Sequence, residues 1–168
     1  GKPNVAGAFP LSPHEGYEGP STTHLSVIDA SGSAVSMTSS VENAFGSRQM
    51  ASGFILNNQL TDFSFRPTQN GHDIANRVTA GKRPRSSMSP TLVFNEDGSL
   101  MMAVGSPGGS RIIGYVAKTL VGVIDWGLSI QEAINLPNFL SRNRGLEIEK
   151  NSRLEVLRPR MEALGHKV

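Results

Sequence analysis

The run Ser21-Thr22-Thr23-His24-Leu25-Ser26-Val27-Ile28-Asp29 puts a Thr-Thr pair at the head of a short alternating stretch, just past a Gly19-Pro20 break. A threonine hydroxyl is a weak nucleophile unless a base stands beside it, and a free N-terminal amine can be that base. A Thr pair so placed is where one would put a threonine nucleophile that starts life inside a polypeptide and is later freed as a new N-terminus. The 21 residues ahead of it leave two alternatives: a precursor segment not yet cut, or a Thr pair with no such role.

A second candidate is Gly108-Gly109, inside Gly105-Ser106-Pro107-Gly108-Gly109-Ser110-Arg111. Two glycines ahead of a helix offer backbone N–H groups that no side chain shields, and the helix dipole favours an anion there. In acyl transfer that anion is the tetrahedral oxyanion, and one lost donor costs about 10²–10³ in rate. Taken alone, the pair is a weak signal and reads first as a plain strand-to-helix turn. Ser86 and Ser87, in the Pro-bounded run Arg83-Pro84-Arg85-Ser86-Ser87-Met88-Ser89-Pro90, could hold a carboxylate or could be ordinary turn chemistry. Gln59 and Asp62, three residues apart after a short apolar run, could hold an ammonium group, and Glu42 could add negative charge nearby; all three could also simply face water. The four histidines, His14, His24, His72 and His166, lack any paired metal-ligand spacing. No Gly-x-Ser-x-Gly elbow marks a serine hydrolase. His24 alternates with Leu25 and is expected to point outward from a strand.

These residues need a scaffold. Residues 1–21 are rich in Gly, Pro and Ser and read as an extended or loop segment. Residues 23–29 and 34–40 read as two strands joined by the turn Ala30-Ser31-Gly32-Ser33. Phe54-Ile55-Leu56 is a further short strand. Residues 91–94 and 100–104 form a second hairpin around Asn95-Glu96-Asp97-Gly98. The period then changes. Ile112, Ile113, Val116, Ala117, Leu120, Val121 and Ile124 predict a helix over Arg111 to Asp125, apolar nearly all round and so expected between layers. Ser129 with Glu132 makes a capping box for a helix that Pro137 stops. Leu146 to Glu149 is a possible strand. Ser152 with Glu155 is a second capping box, ahead of Leu154, Leu157, Met161 and Leu164 on one helix face. Pro159 inside that pattern either kinks the helix or begins it afresh.

Composition limits the rest. The 168 residues suit one domain or a large piece of one, and 18 glycines with 10 prolines predict many turns. Net charge is +2, and the densest basic cluster, Lys82-Arg83-Pro84-Arg85, is too short for a nucleic-acid stripe. With no cysteine, disulfides, thiolate metal sites and cysteine nucleophiles are excluded. No apolar run is long enough to span a membrane. The sequence shows neither an initiator Met nor a secretory signal, and is expected to be an excerpt of a longer product.

Together, four segments resemble the gamma-glutamyltranspeptidase (glutathione hydrolase) family: Thr22 to Asp29; Leu56-Asn57-Asn58-Gln59 with Asp62-Phe63-Ser64; Arg83 to Pro90; and Gly105 to Arg111. The resemblance covers nearly the whole chain. It implies an α+β N-terminal-nucleophile hydrolase fold of stacked antiparallel sheets flanked by helices (αββα), here a partial domain. Residues 1–21 would be the tail of the large-subunit region. Residues 22–168 would be the small, catalytic region, lacking its last strands. By similarity, Thr22 is both the site of self-cleavage and the nucleophile that attacks a gamma-glutamyl amide such as glutathione. The resulting acyl-enzyme passes to water, or to an amino-acid or peptide acceptor. Gly108 and Gly109 match the oxyanion hole, and Ser40 matches a hydroxyl residue that supports the nucleophile. Gln59 and Asp62 match residues that hold the substrate's α-amino group, with Glu42 standing where many members carry Asn. Ser86 and Ser87 match residues that hold the α-carboxylate. No cofactor or metal is implied, and the large subunit of the same precursor is the implied partner. The implied compartment is periplasmic or extracellular, with a cytoplasmic one left open. The stretch Phe63 to Lys82 looks shorter than in members with a long lid, which implies a more open site.

Two other readings stand beside this one. The first is a glutaryl or cephalosporin-type acylase of the same superfamily. Gln59, Asp62 and Glu42 speak against it, because a glutaryl group has no ammonium to hold. The second is an inactive fragment in which the Thr and Gly pairs are only turns.

Overall fold

The computed structural model describes residues 22–142 and 145–168, so the tail expected over residues 1–21 lies outside it. The chain divides into two compact units, the described parts of which are 41–86 and 22–40 with 87–168.

The second unit carries the Thr pair. Strands β1 (Thr22–Ile28) and β2 (Ala34–Ser40) form an antiparallel hairpin, with Thr22 opposite Ser40, His24 opposite Thr38 and Ser26 opposite Ser36. Asp29 closes the turn: its Oδ1 accepts from Ser31 N (2.8 Å), Ser31 Oγ (2.7 Å) and Ser33 N (2.9 Å). The Ser31 hydroxyl, then the Ser33 backbone N–H, hold the Asp29 carboxyl below its ordinary value. Strands β7 (Thr91–Phe94) and β8 (Leu100–Val104) form the second expected hairpin. Helices α1 (Ile112–Ile124) and α2 (Ile130–Asn135) follow. Met102 and Val104 of β8 meet Ile112 and Val116 of α1 in the buried core, and Met88, Val93, Leu120 and Val123 pack around it.

Helix α1 departs from expectation. One side is buried, but Ile113 and Ile124 are more than half exposed. The described residues cover a single face, so α1 is amphipathic in its surroundings although its sequence is apolar nearly all round. Lys118 lies on the buried side, and its Nζ donates to the carbonyl oxygens of Ile134 (3.1 Å) and Leu136 at the end of α2. The Ser129–Glu132 capping box is reciprocal, as expected.

Strand β10 (Leu146–Ile148) has a partner that periodicity did not reveal, β9 (Phe139–Ser141). The Ser152–Glu155 pair is not a reciprocal box. Ser152 caps Leu154 N, while Glu155 reaches Asn151 N instead. The Pro159 alternative is settled: a 3-10 turn over Arg153–Leu157 ends, and α3 (Arg158–Ala163) begins afresh with the proline in its first turn, where no N–H is missed. The expected apolar face is only partly covered, with Leu157 and Leu164 exposed.

The first unit contains two tight hairpins, β3 (Met50–Ala51) with β4 (Phe54–Ile55) and β5 (Thr68–Gln69) with β6 (His72–Asp73). Ser52-Gly53 and Asn70-Gly71 form their two-residue loops, all four with positive φ, as type I′ turns require. Phe63, Ser64 and Ile74 form the buried centre, beside the 3-10 turn Gln59–Asp62.

Candidate active site

Three groups of the expected residues are assembled, each within one unit. The first is on the hairpin. Thr22 and Ser40 face each other directly across β1 and β2, so their side chains lie on the same face; directly opposed residues have Cβ atoms about 4.5–5.5 Å apart. On that face Thr22, His24 and Ser26 meet Ser40, Thr38 and Ser36, a ladder of hydroxyls around one imidazole. The ladder fastens the hairpin to its neighbour. Ser36 Oγ donates to Val104 O (3.0 Å) and accepts from Thr91 N (3.1 Å).

His24 is a correction. It was expected outside, but it is half-buried on the hydroxyl face. Nδ1 lies 2.9 Å from Thr38 Oγ1 and Nε2 lies 3.1 Å from Ser26 Oγ. The ring lies against Gly105, where a Cβ would stand 2.1 Å from His24 Cε1. The opposite hairpin face, Leu25, Val27, Val35 and Met37, is exposed. The alternation was real, but the polar side is the one that packs.

The second group is the turn after β8. Gly108 precedes a 3-10 turn over Gly109–Arg111 that runs straight into α1. Gly108 has φ 135° and Gly109 φ 57°, and a Cβ on Gly108 would stand 2.8 Å from the Tyr115 ring. Only glycine meets both demands at Gly108. Among the described residues no carbonyl or side chain takes the N–H of Gly108 or Gly109, while Arg111 N donates back to Gly108 O (3.1 Å). Two free donors at the start of a 13-residue helix are suited to an anion. Ser110 and Arg111 are held from the far side by Glu147 and Arg142.

The third group is in the first unit. Gln59 Nε2 donates to Glu42 Oε2 (3.3 Å) and to Asp62 Oδ2, so one amide stands between two carboxylates. Glu42 has φ 73°. Asn58 N donates to Val41 O (3.2 Å) and Asn43 N to Asn58 Oδ1 (3.0 Å), which brings the Glu42 segment to the Gln59 turn. Buried Phe63 and Ser64 anchor the other end, and Asn76 Nδ2 donates to Asp62 O. All three side chains are half-buried, and two negative charges around one amide suit a small cation such as an ammonium group.

Ser86 and Ser87 lie in a stretch without regular secondary structure, Ser86 exposed and Ser87 half-buried. They fall on opposite sides of the boundary between the units. Among the described residues no cluster of three or more His, Asp or Glu gathers to hold a metal, and no helix is long and apolar enough to cross a membrane. The sequence does not reveal the packed side of His24 or the Glu147–Arg142 pair. The first had no signal beyond Gly105, and the second depends on a strand pairing.

A family model described as gamma-glutamyltranspeptidase matches residues 5–168. The chain is 44% identical over 161 residues to the glutathione hydrolase proenzyme of Escherichia coli, covering 90% of this chain and 27% of that protein. The chain thus spans about a quarter of that relative's length. A crystal structure of an acivicin-inhibited gamma-glutamyltranspeptidase, described as revealing roles for its C-terminus in autoprocessing and catalysis, superposes with a TM-score of 0.75. The two are 38% identical, and the match covers 86% of this chain and 81% of that one. The transpeptidase CapD of Bacillus anthracis superposes with a TM-score of 0.60 at 31% identity, over 85% of this chain and 74% of that one.

Proposed function

The chain belongs to the gamma-glutamyltranspeptidase family, with its N-terminal-nucleophile hydrolase fold, and on that premise we propose that the protein carrying it is a gamma-glutamyl hydrolase and transferase. Its substrates are glutathione and other gamma-glutamyl amides. The precursor cuts itself at Ser21–Thr22, and residues 22–168 supply the catalytic region while a large subunit ending near residue 21 is the partner.

The chemistry follows from the three groups. Cleavage frees the Thr22 amine, which takes the proton from Thr22 Oγ as the oxygen attacks the amide carbonyl. The Gly108 and Gly109 N–H groups receive the oxyanion. The C–N bond breaks, the leaving amine takes the proton, and the glutamyl group remains as an ester on Thr22. Water or an acceptor amine then repeats the sequence in reverse. Ser40, opposite Thr22, orients the nucleophile's hydroxyl. Gln59, Asp62 and Glu42 hold the substrate's ammonium, and Ser86 and Ser87 its carboxylate.

The observation that carries the reading is the second unit's pairing of two features. Thr22 faces Ser40 on a hairpin fastened to β8, and β8 runs into a Gly-Gly turn whose two N–H groups are untaken among the described residues. The Glu42–Gln59–Asp62 cluster favours a gamma-glutamyl over a glutaryl substrate. Turnover of gamma-glutamyl anilide and glutaryl anilide by the intact protein tests it. Faster gamma-glutamyl turnover, abolished by Thr22→Ala, is expected. Faster glutaryl turnover would make the protein an acylase, and activity unchanged by Thr22→Ala would remove the nucleophile assignment.

A further inference from the structure

The Gly-Gly turn is gripped by a charged clamp. Glu147, in β10, takes one arginine on each carboxylate oxygen. Arg111 Nε and Nη2 both lie 2.9 Å from Oε2, and Arg142 Nε and Nη2 lie 3.1 and 2.6 Å from Oε1. Arg142 also reaches Ser110 Oγ through Nη1. Ser110 and Arg111 directly follow Gly109 in the same 3-10 turn. The clamp is anchored in turn: Glu147 is paired with Leu140 of β9, and Leu140 lies against α1 at Gly114.

Such a clamp has work to do there. A 3-10 turn has poorer hydrogen-bond geometry than an α-helix, and two successive glycines with positive φ have little intrinsic preference to hold them. Arg111 N bonding Gly108 O holds the peptide plane that carries the Gly109 N–H, and side chains from outside the turn add to what keeps both N–H groups aimed. Charge-assisted bonds from two nitrogens of each guanidinium to one carboxylate oxygen, one arginine per oxygen, hold both arginines in place around Glu147. Stability alone is a poor explanation for it: the Glu147 side chain is 38% exposed, and ion pairs so exposed contribute little net stability.

We propose that Glu147, acting with Arg142 through Ser110 and Arg111, is a positioning residue that aims the Gly108 and Gly109 N–H groups at the oxyanion. This rests on the reading of those glycines as the oxyanion donors. Because the clamp acts through the turn, its loss lowers the transition state's stabilisation and leaves ground-state binding alone.

The test compares wild type, Glu147→Gln and Glu147→Asp of the intact protein on gamma-glutamyl anilide, with a gamma-glutamyl boronic acid as the tetrahedral probe. Misaimed donors are expected to lower kcat about 10–100-fold in Glu147→Gln. KM stays within twofold, boronate affinity falls by the same factor as kcat, and Glu147→Asp recovers part of both. If Glu147→Gln does not accumulate as folded protein, Arg142→Gln, which leaves the Arg111–Glu147 pair, carries the same comparison. A kcat within twofold of wild type at equal folded concentration overturns the proposal. So does a raised KM at unchanged kcat, or unchanged boronate affinity. Failure of the underlying reading looks different: wild type then lacks gamma-glutamyl turnover, or Thr22→Ala retains it.

Discussion

Gly105→Ala is the sharpest structural test of how the nucleophile's hairpin is seated. A Cβ at this position would stand 2.1 Å from His24 Cε1, 2.3 Å from Nδ1 and 2.6 Å from Nε2. Ordinary contact begins near 3.4 Å, so the ring must retreat by more than 1 Å. It cannot do so and keep its 2.9 Å and 3.1 Å bonds to Thr38 and Ser26. Overpacking costs about 1–3 kcal/mol and each of the two hydrogen bonds about 1 kcal/mol net, so the loss should be about 3–5 kcal/mol. Removing the ring removes the clash, so His24→Ala with Gly105→Ala should be less destabilised than the sum of the single variants by at least ~1 kcal/mol. Urea denaturation of all four proteins measures both quantities. A Gly105→Ala protein within about 0.5 kcal/mol of wild type, or strict additivity in the cycle, would refute the packing of His24 on Gly105.

Other outcomes are expected on the same grounds. Asp62→Asn should raise KM for a gamma-glutamyl amide at least tenfold, since a charged hydrogen bond contributes about 1.5–3 kcal/mol, while leaving KM for a substrate without the α-amino group unchanged. Gly108→Ala must both abandon φ 135° and displace Tyr115, and should lower kcat by about 10²-fold without preventing folding, read by steady-state kinetics beside circular dichroism. Lys118→Met orphans the Ile134 and Leu136 carbonyls at the end of α2 and should cost about 1–3 kcal/mol in denaturant unfolding. Asp29, held down first by the Ser31 hydroxyl, and Glu147, held down first by Arg142, both have lowered pKa values. Their stabilising effect is present above the ordinary carboxylate range and is lost as pH falls through the lower folded values. The destabilisation caused by Asp29→Asn should therefore be full at pH 7 and fade in acid; a constant difference across the titration would contradict the turn assignment.

What could be read from the sequence was whatever depended on local pattern. The Thr22–Ile28 and Ala34–Ser40 strands, the Asn95–Gly98 turn, the α1 period and the Ser129 capping box all follow from neighbours within a few residues, and all are present. Which face packs was not legible. Alternation in β1 is symmetrical between Leu25 outward and His24 outward, and the choice is made by Gly105 and Ser36 contacts about 70 to 80 residues away in sequence. The same holds for α1, whose apolar circumference does not say which side the β8 core will cover. The two-residue loops Ser52-Gly53 and Asn70-Gly71 carry a local signal, Gly after a residue at positive φ, but their strands are only two residues long and show no alternation. In the candidate site, Gln59 stands between Glu42 and Asp62, a grouping set by the local turn that follows Asn58. The Glu147 clamp needed the register of β9 with β10, which periodicity did not supply.

The proposed activity requires that Thr22 becomes a free N-terminus and carries the acyl group. Intact-mass analysis of the purified protein, before and after reaction with a gamma-glutamyl-type covalent inactivator, measures it directly. The expected result is a polypeptide beginning at Thr22 that gains the inactivator's mass on its first residue, and an uncut, unlabelled Thr22→Ala protein. A wild-type protein that turns over gamma-glutamyl amides while Ser21–Thr22 stays joined, or that is labelled elsewhere than Thr22, would contradict it.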